Sequence, residues 1–178
     1  MSAFTKQSCS AALLCFALLL FAAHAGARQD AFPSNMEAAH RVVLESWLKQ
    51  KPNLRPATAE DLGAEFLVRL KEMSPESAAS PFYIAGDFNH DDRKDFAVGL
   101  VNKNSPGKLV LAVFNAPFGK KTTPAFYDES MFEMTDIFFI VADRKNREEL
   151  QIGIGNDTRT VLLKPKGKSY FIWTGPTQ

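Results

Sequence analysis

The chain has 178 residues, of which 23% are charged and 46% hydrophobic, and its formal net charge is +1 at pH 7. This length and composition suit a single globular domain. Nucleic acids and anionic membrane surfaces attract proteins with an excess of basic residues, so the near-zero charge argues against both as partners.

The N-terminal segment predicts a secretory signal peptide. Lys6 precedes an apolar run over residues 11–23, and small residues follow at Ala25 and Ala27. A membrane-spanning helix needs about 20 apolar residues, whereas a shorter run followed by small residues is typical of a cleaved signal. We therefore expect residues 1–27 to be a signal peptide that is cleaved after Ala25 or Ala27. The mature protein would then be secreted or periplasmic, with no membrane span.

Both cysteines, Cys9 and Cys15, lie inside this predicted signal peptide. The mature chain would therefore contain no disulfide and no thiol nucleophile. An uncleaved anchor helix and a lipoprotein are the alternatives, but Cys15 follows two leucines rather than the small residues that precede a lipidated cysteine. An exported domain without disulfides can gain stability from a bound metal ion.

Two amphipathic helices are predicted after the signal peptide. The first, about Asn35 to Gln50, begins with a capping-box pattern at Ser34 and Glu37 and has apolar residues at helical spacing. The second, about Thr58 to Glu72, repeats the pattern with Asp61 three residues after its first residue.

From Pro81 onward the hydrophobic pattern is that of β-strands separated by turns. We expect an α+β fold for residues 28–178, a single domain in which two N-terminal helices pack on an antiparallel meander sheet of about six or seven strands. Asn156-Asp157 is predicted to form a hairpin turn in this sheet. The predicted strands are Phe82–Ala85, Phe96–Val101, Leu109–Phe114, Ile137–Val141, Leu150–Ile154, Thr160–Leu163 and Tyr170–Trp173.

The segment Ala116–Thr135 is rich in aromatic residues and methionine and is predicted to be a long connection between two central strands. Such a connection can tuck under the sheet as a satellite of the core, which is the interpretation that the pattern favours. It can also present a partner surface or a ligand groove.

The loop between the first two predicted strands carries the clearest chemical pattern. Asp87, Asn89, Asp91 and Asp95 occupy its positions 1, 3, 5 and 9. Oxygen ligands from one tight loop are what a hard cation such as Ca²⁺ prefers. Aspartates this close repel one another unless a cation lies between them.

This loop resembles the D-x-[DN]-x-D-G-x-x-D calcium loop of FG-GAP and VCBS-type repeats, which also lies between two strands. The resemblance implies a structural Ca²⁺ held by five residues. Four would supply side-chain oxygens and one a backbone carbonyl. They are Asp87, Asn89, Asp91 and Asp95 through their side chains, and Arg93 through its carbonyl.

The resemblance covers only residues 87–95, and the chain departs from the family pattern at Asp92, where the family has glycine. Val98 stands at position twelve, where an EF-hand has glutamate, which argues against that motif. Because a propeller needs several repeated blades, one copy implies the loop but not the propeller fold.

Other interpretations of this loop remain open. The aspartates can accept backbone amides in a metal-free turn. A transition metal could recruit His90, although the surrounding ligands are oxygens and the histidine is better explained as a solvated loop residue.

The sequence favours a monomeric, non-enzymatic binding or adaptor domain whose partner is an unidentified protein or envelope component. No catalytic residue is assigned. One alternative is a small secreted hydrolase of cell-envelope material with a structural calcium, which could draw its carboxylates from Glu129, Glu133 and Asp136. A structural domain of an envelope assembly is another.

Overall fold

The computed structural model describes residues 32–119, 121–134, 137–143, 147–155 and 160–175. The predicted signal peptide, its cleavage positions and the predicted Asn156-Asp157 turn lie outside these residues. The described residues belong to one compact unit, Ala31–Gln178. Nowhere in these ranges is a helix long and apolar enough to cross a membrane.

The first helix, α1, spans Ala38–Leu48 and is shorter than predicted. Its N-cap residue is Glu37, which makes no side-chain capping hydrogen bond, so the capping box predicted with Ser34 is absent. The Glu37 carboxylate instead lies 2.7 Å from Lys94 Nζ, in the loop that the sequence marked as a cation site. A long-range ion pair has therefore replaced the local cap.

The predicted capping box of Thr58 and Asp61 does form, but it caps a single 3-10 turn, Ala59–Asp61. The second α-helix, α2, begins only after Gly63, whose extended backbone interrupts the helix that the pattern predicted. A further short helix, which the sequence analysis missed, begins with the Ser74 side chain accepting a hydrogen bond from the Ser77 amide. These helices are α2, Ala64–Met73, and α3, Pro75–Ala79.

The predicted α+β fold with a single meander sheet is wrong, because the chain is mostly β and its strands form two antiparallel sheets. The first sheet has the order β1-β3-β4-β5, with β2 also paired to β3, and the second has the order β6-β7-β8-β9. The strands are β1 Leu54–Pro56, β2 Tyr83–Gly86, β3 Asp95–Asn102, β4 Lys108–Phe114, β5 Phe126–Glu133, β6 Ile137–Asp143, β7 Glu148–Ile154, β8 Thr160–Lys166 and β9 Ser169–Trp173.

Strand β5 lies in the segment that was predicted to be a long connection. It pairs with β4 so that Phe126 lies opposite Val113 and Phe132 lies opposite Leu109, with an irregularity in the ladder between Leu109 and Leu111. The polar residues in the middle of β5 hide the strand pattern. The aromatic residues Phe126, Tyr127 and Phe132 therefore belong to a strand of the first sheet and not to a connecting loop.

Two hydrophobic clusters explain why β3 and β4 read as continuous apolar runs. On one face of the first sheet, alternate strand residues such as Phe96 and Phe114 pack against Leu44 and Trp47 of α1. On the other face, Ala97, Leu111 and their neighbours pack with the second sheet and with α2. The two central strands are thus buried on both faces, and the helices do not share one face of the sheet as predicted.

His40 is a buried titratable group in the contact between α1 and the first sheet, with only 2% of its surface exposed. Its ring stacks on Phe96 at a centroid distance of 4.5 Å, and its Nδ1 lies 2.9 Å from the Tyr83 hydroxyl. Desolvation lowers the pKa of His40, although the neighbouring Glu37 carboxylate opposes this effect.

We expect acid to weaken the fold through His40. The unfolded histidine takes up a proton at its ordinary pKa of about 6.5, whereas the folded one resists protonation. The stability present above that pH is therefore lost as the pH falls through the lowered pKa. Lys94 and Tyr83 also face this ring and share its environment.

Urea unfolding of the parent protein and of His40→Gln at pH 7.5 and pH 5 checks this expectation. The acid-induced loss of stability should be smaller in the variant, because other titrating groups are common to both proteins. His90→Gln, at the exposed histidine of the loop, is the matched control and should behave like the parent. An equal pH dependence in all three proteins would contradict the role of His40.

Candidate cation site

The candidate site is the connection between β2 and β3, two strands that pair in register from Tyr83 opposite Val98 to Gly86 opposite Asp95. The loop thus leaves the sheet after Gly86 and returns at the residue paired with it. This hairpin geometry holds the first and last aspartates of the predicted motif, Asp87 and Asp95, at the two ends of one closed loop.

The polar side chains of the loop turn toward its own backbone amides. The two carboxylate oxygens of Asp87 accept hydrogen bonds from the amides of Asp91 and Asp92, each at 3.0 Å. Asn89 Oδ1 also accepts from the Asp91 amide at 3.0 Å, and Asp91 Oδ1 accepts from the Arg93 amide at 3.1 Å. Three of the predicted ligands are therefore gathered around the inside of one turn.

Two residues of the loop have a left-handed backbone, His90 with φ 62° and Asp92 with φ 61°. Asp92 occupies the position where the repeat family has glycine. Aspartate enters this region more readily than most residues because its short side chain can form local hydrogen bonds. The departure from the family pattern at this position is thus compatible with the backbone conformation that the turn adopts.

Asp95 differs from the other predicted ligands because it is fully buried. Its carboxylate accepts hydrogen bonds from the Ala116 amide at 2.9 Å and from the Asn89 amide at 3.3 Å, and the Tyr170 hydroxyl lies 3.3 Å away. Burial raises the pKa of Asp95 to about 6, although these hydrogen bonds act in the opposite direction. Asp95 thus joins the loop to the core.

Tyr170 connects this carboxylate to the second sheet. Its hydroxyl lies 2.8 Å from Asn115 Oδ1 as well as 3.3 Å from Asp95, and with one proton it donates to one of them at a time. Burial and the nearby Asp95 carboxylate raise the pKa of the Tyr170 phenol, so the group is neutral and able to donate. Residues from both sheets therefore surround the buried end of the candidate site.

Glu148, at the start of β7, is a second long-range partner of the loop. Its carboxylate accepts a hydrogen bond from the Asp87 amide, and its backbone carbonyl lies 3.1 Å from His90 Nε2. A Cβ atom on Gly86 would lie 2.5 Å from Glu148 Oε2 and 2.7 Å from the buried Phe88 ring, so glycine leaves room for both side chains as they are placed here. Glu148 lies 61 residues from Asp87 in the sequence, and no local pattern predicts this contact.

Acidic and basic groups alternate around an open cavity of about 730 Å³ beside the loop. Lys94 Nζ is held 2.7 Å from the Glu37 carboxylate on the α1 side, and this hydrogen bond lowers the pKa of Glu37. The cavity is lined by Asp87, His90, Asp92, Arg93, Lys94, Arg147 and Glu148.

The donors around the loop are oxygens, which suit Ca²⁺ better than a transition metal. Among the described residues, no three His, Cys, Asp or Glu side chains are already arranged to hold a metal ion. The side-chain oxygens of Asp87, Asn89 and Asp91 that would hold an ion accept backbone amides in this structure. The backbone carbonyl of Arg93 is the fifth ligand that the resemblance implies.

Of the three acids considered for hydrolysis, the structure describes the side chain of Glu129. Glu129 is exposed on β5 and accepts a hydrogen bond from the Tyr127 hydroxyl. Asp136 and the side chain of Glu133 lie outside the described part of the chain.

No protein family, curated protein or solved structure matches this chain.

Proposed function

We propose that this protein is an exported, non-enzymatic binding or adaptor domain in which Ca²⁺ binds the loop of residues 87–95 and fixes the hairpin of β2 and β3. The supporting observation is the convergence of oxygen-bearing side chains inside one turn. Asp87 Oδ1 and Asn89 Oδ1 both lie 3.0 Å from the Asp91 amide nitrogen, so the two oxygens are close neighbours. Export rests on the N-terminal sequence pattern alone.

The role we propose for the ion is structural. The loop is joined to α1 through Lys94 and to β7 through Glu148. An ion that orders the loop would thus strengthen contacts with both neighbours. A ligand that binds only the folded state adds about 2.7 kcal/mol of stability when its free concentration is one hundred times its Kd.

Calcium titration by calorimetry, combined with thermal melts in calcium and in EGTA, tests the proposal. We expect one binding event per chain and a higher Tm in calcium. Asp87→Asn should abolish both effects because it removes a charged ligand. Asp92→Asn is the matched control within the same turn: it removes one negative charge from a residue that is not a proposed ligand, and it should retain binding.

Two results would contradict the calcium site. One is the absence of heat and of a Tm shift in the parent protein, which would leave residues 87–95 as a metal-free polar turn. The other is equal loss of binding in Asp87→Asn and Asp92→Asn, which would indicate a diffuse attraction to negative charge rather than ligation by defined side chains.

A further inference from the structure

A second candidate site lies where the two sheets meet at β2 and β6. The Phe139 amide of β6 donates a hydrogen bond to the Pro81 carbonyl at 2.9 Å, just before β2 begins. Next to this contact is a cleft of about 430 Å³. Small-molecule sites in proteins commonly have volumes of about 300–1,000 Å³, so the cleft is large enough for a small ligand.

The lining of the cleft is part apolar and part polar. The partly exposed Ile84 of β2 and Val141 of β6 provide hydrocarbon surface. Ser77 and Ser80 provide hydroxyls from α3 and the residue that follows it. An occupant should therefore have a hydrocarbon part and a polar end.

Ser80 adds an unsatisfied polar group to the lining of the cleft. Its side chain is buried, with 6% of the residue exposed, and its Oγ has no hydrogen-bond partner within the described part of the chain. The Ser80 amide and carbonyl are both used, by Ser77 and Tyr83 respectively. A buried hydroxyl without a partner costs about 1–3 kcal/mol, and a polar ligand group in the cleft would remove that cost.

The charged residues around the cleft determine which ligand charge it favours. Glu37 and Glu76 contribute carboxylates, and no lysine or arginine is among the described residues that line it. Glu37 already pairs with Lys94, so Glu76 is the carboxylate left to attract a ligand. Anions are therefore disfavoured, and a group with a positive charge and several N–H donors complements the cleft best.

We propose that this cleft binds a small amphipathic amine. Its ammonium group lies near Glu76 and the hydroxyls of Ser77 and Ser80, and its hydrocarbon chain lies against Ile84 and Val141. The proposal is independent of calcium binding at the loop. Ser80 also lines a smaller cavity of about 180 Å³, but Glu76 does not line that cavity, so Glu76 distinguishes the two locations.

Titrations with three probes of the same chain length test this proposal in EGTA, followed by amide chemical shifts. The probes are n-pentylamine, 1-pentanol and pentanoate. We expect pentylamine to shift the amides of residues 76–85 and 139–141 and to bind at least about tenfold more tightly than pentanol, a difference of about 1.4 kcal/mol. Pentanoate should cause no saturable shift. Equal binding of the amine and the alcohol would overturn the proposal.

Two variants locate the ammonium group. Glu76→Gln should weaken pentylamine binding, whereas Glu72→Gln, at an exposed position on α2, should leave it unchanged. Ser80→Ala should also weaken binding, while the free protein melts no lower than the parent because an unpaired buried hydroxyl has been removed. Parent-like binding in both Glu76→Gln and Ser80→Ala would refute the site.

Discussion

Replacing Phe96 by alanine is expected to lower the free energy of unfolding by about 3–5 kcal/mol, the range typical of a buried phenylalanine. Phe96 is fully buried on β3, and its ring stacks on Phe114 at 4.7 Å and on His40 at 4.5 Å. The substitution removes the aromatic surface on which α1 rests and leaves a cavity between the helix and the first sheet. Both effects destabilise the folded state.

Phe171→Ala is the matched control for this experiment. Phe171 lies on β9 and is 41% exposed, so its replacement removes less buried surface and should cost about 1 kcal/mol or less. Urea unfolding followed by circular dichroism gives both values. If Phe96→Ala and Phe171→Ala lose the same stability, α1 does not depend on Phe96 and the packing described for this face is incorrect.

The second large loss of stability is expected when Asp95 is replaced. Measuring this loss without calcium isolates the structural role of Asp95 from its proposed role as a calcium ligand. In EGTA, Asp95→Ala should cost about 2–4 kcal/mol, because two partly buried amides lose their acceptor together and a cavity is left in the core. These amides belong to Ala116 and Asn89, whereas the Tyr170 hydroxyl keeps Asn115 Oδ1 as an acceptor at 2.8 Å. The raised pKa of Asp95 shows that burial of its charge is itself unfavourable, so the expected loss reflects the unpaired donors and the cavity.

Asp87→Ala should cost only about 1 kcal/mol in EGTA, because the amides of Asp91 and Asp92 lie in an exposed turn where water can replace the carboxylate. In calcium, both variants should lack the stabilisation that the parent gains. Thermal and urea unfolding of the three proteins, with and without calcium, give the full comparison. Equal losses in EGTA would show that Asp95 is no more important to the metal-free fold than Asp87.

The elements that the sequence predicted correctly depend on short-range patterns. The hairpin around residues 87–95 is evident from two apolar runs and the alternation of polar residues between them. The buried strand from Leu109 to Phe114 follows from an uninterrupted apolar run. The capping box at Thr58 is equally local, but its pattern cannot distinguish a 3-10 turn from the start of an α-helix.

The failures concern partners that are distant in the sequence. Hydrophobic periodicity shows that a segment is a strand but not which strand pairs with it, so two sheets were predicted as one. Glu148 and Tyr170 contact the loop from 61 and 75 residues away, and no local motif marks either residue. Ser34 does not cap the helix, because the Glu37 amide donates to the Tyr83 hydroxyl and the Glu37 carboxylate pairs with Lys94.

The close approach of Gly86 and Glu148 has a consequence for evolution. A side chain at position 86 would meet the Glu148 carboxylate and the buried Phe88 ring, and of these two only the exposed carboxylate can turn away. A homologue with a larger residue at position 86 would therefore need a smaller residue at position 88, and a redirected Glu148 carboxylate would lose the bond to the Asp87 amide. In future alignments, covariation of positions 86 and 88 would distinguish true relatives from chains that share only the aspartate spacing.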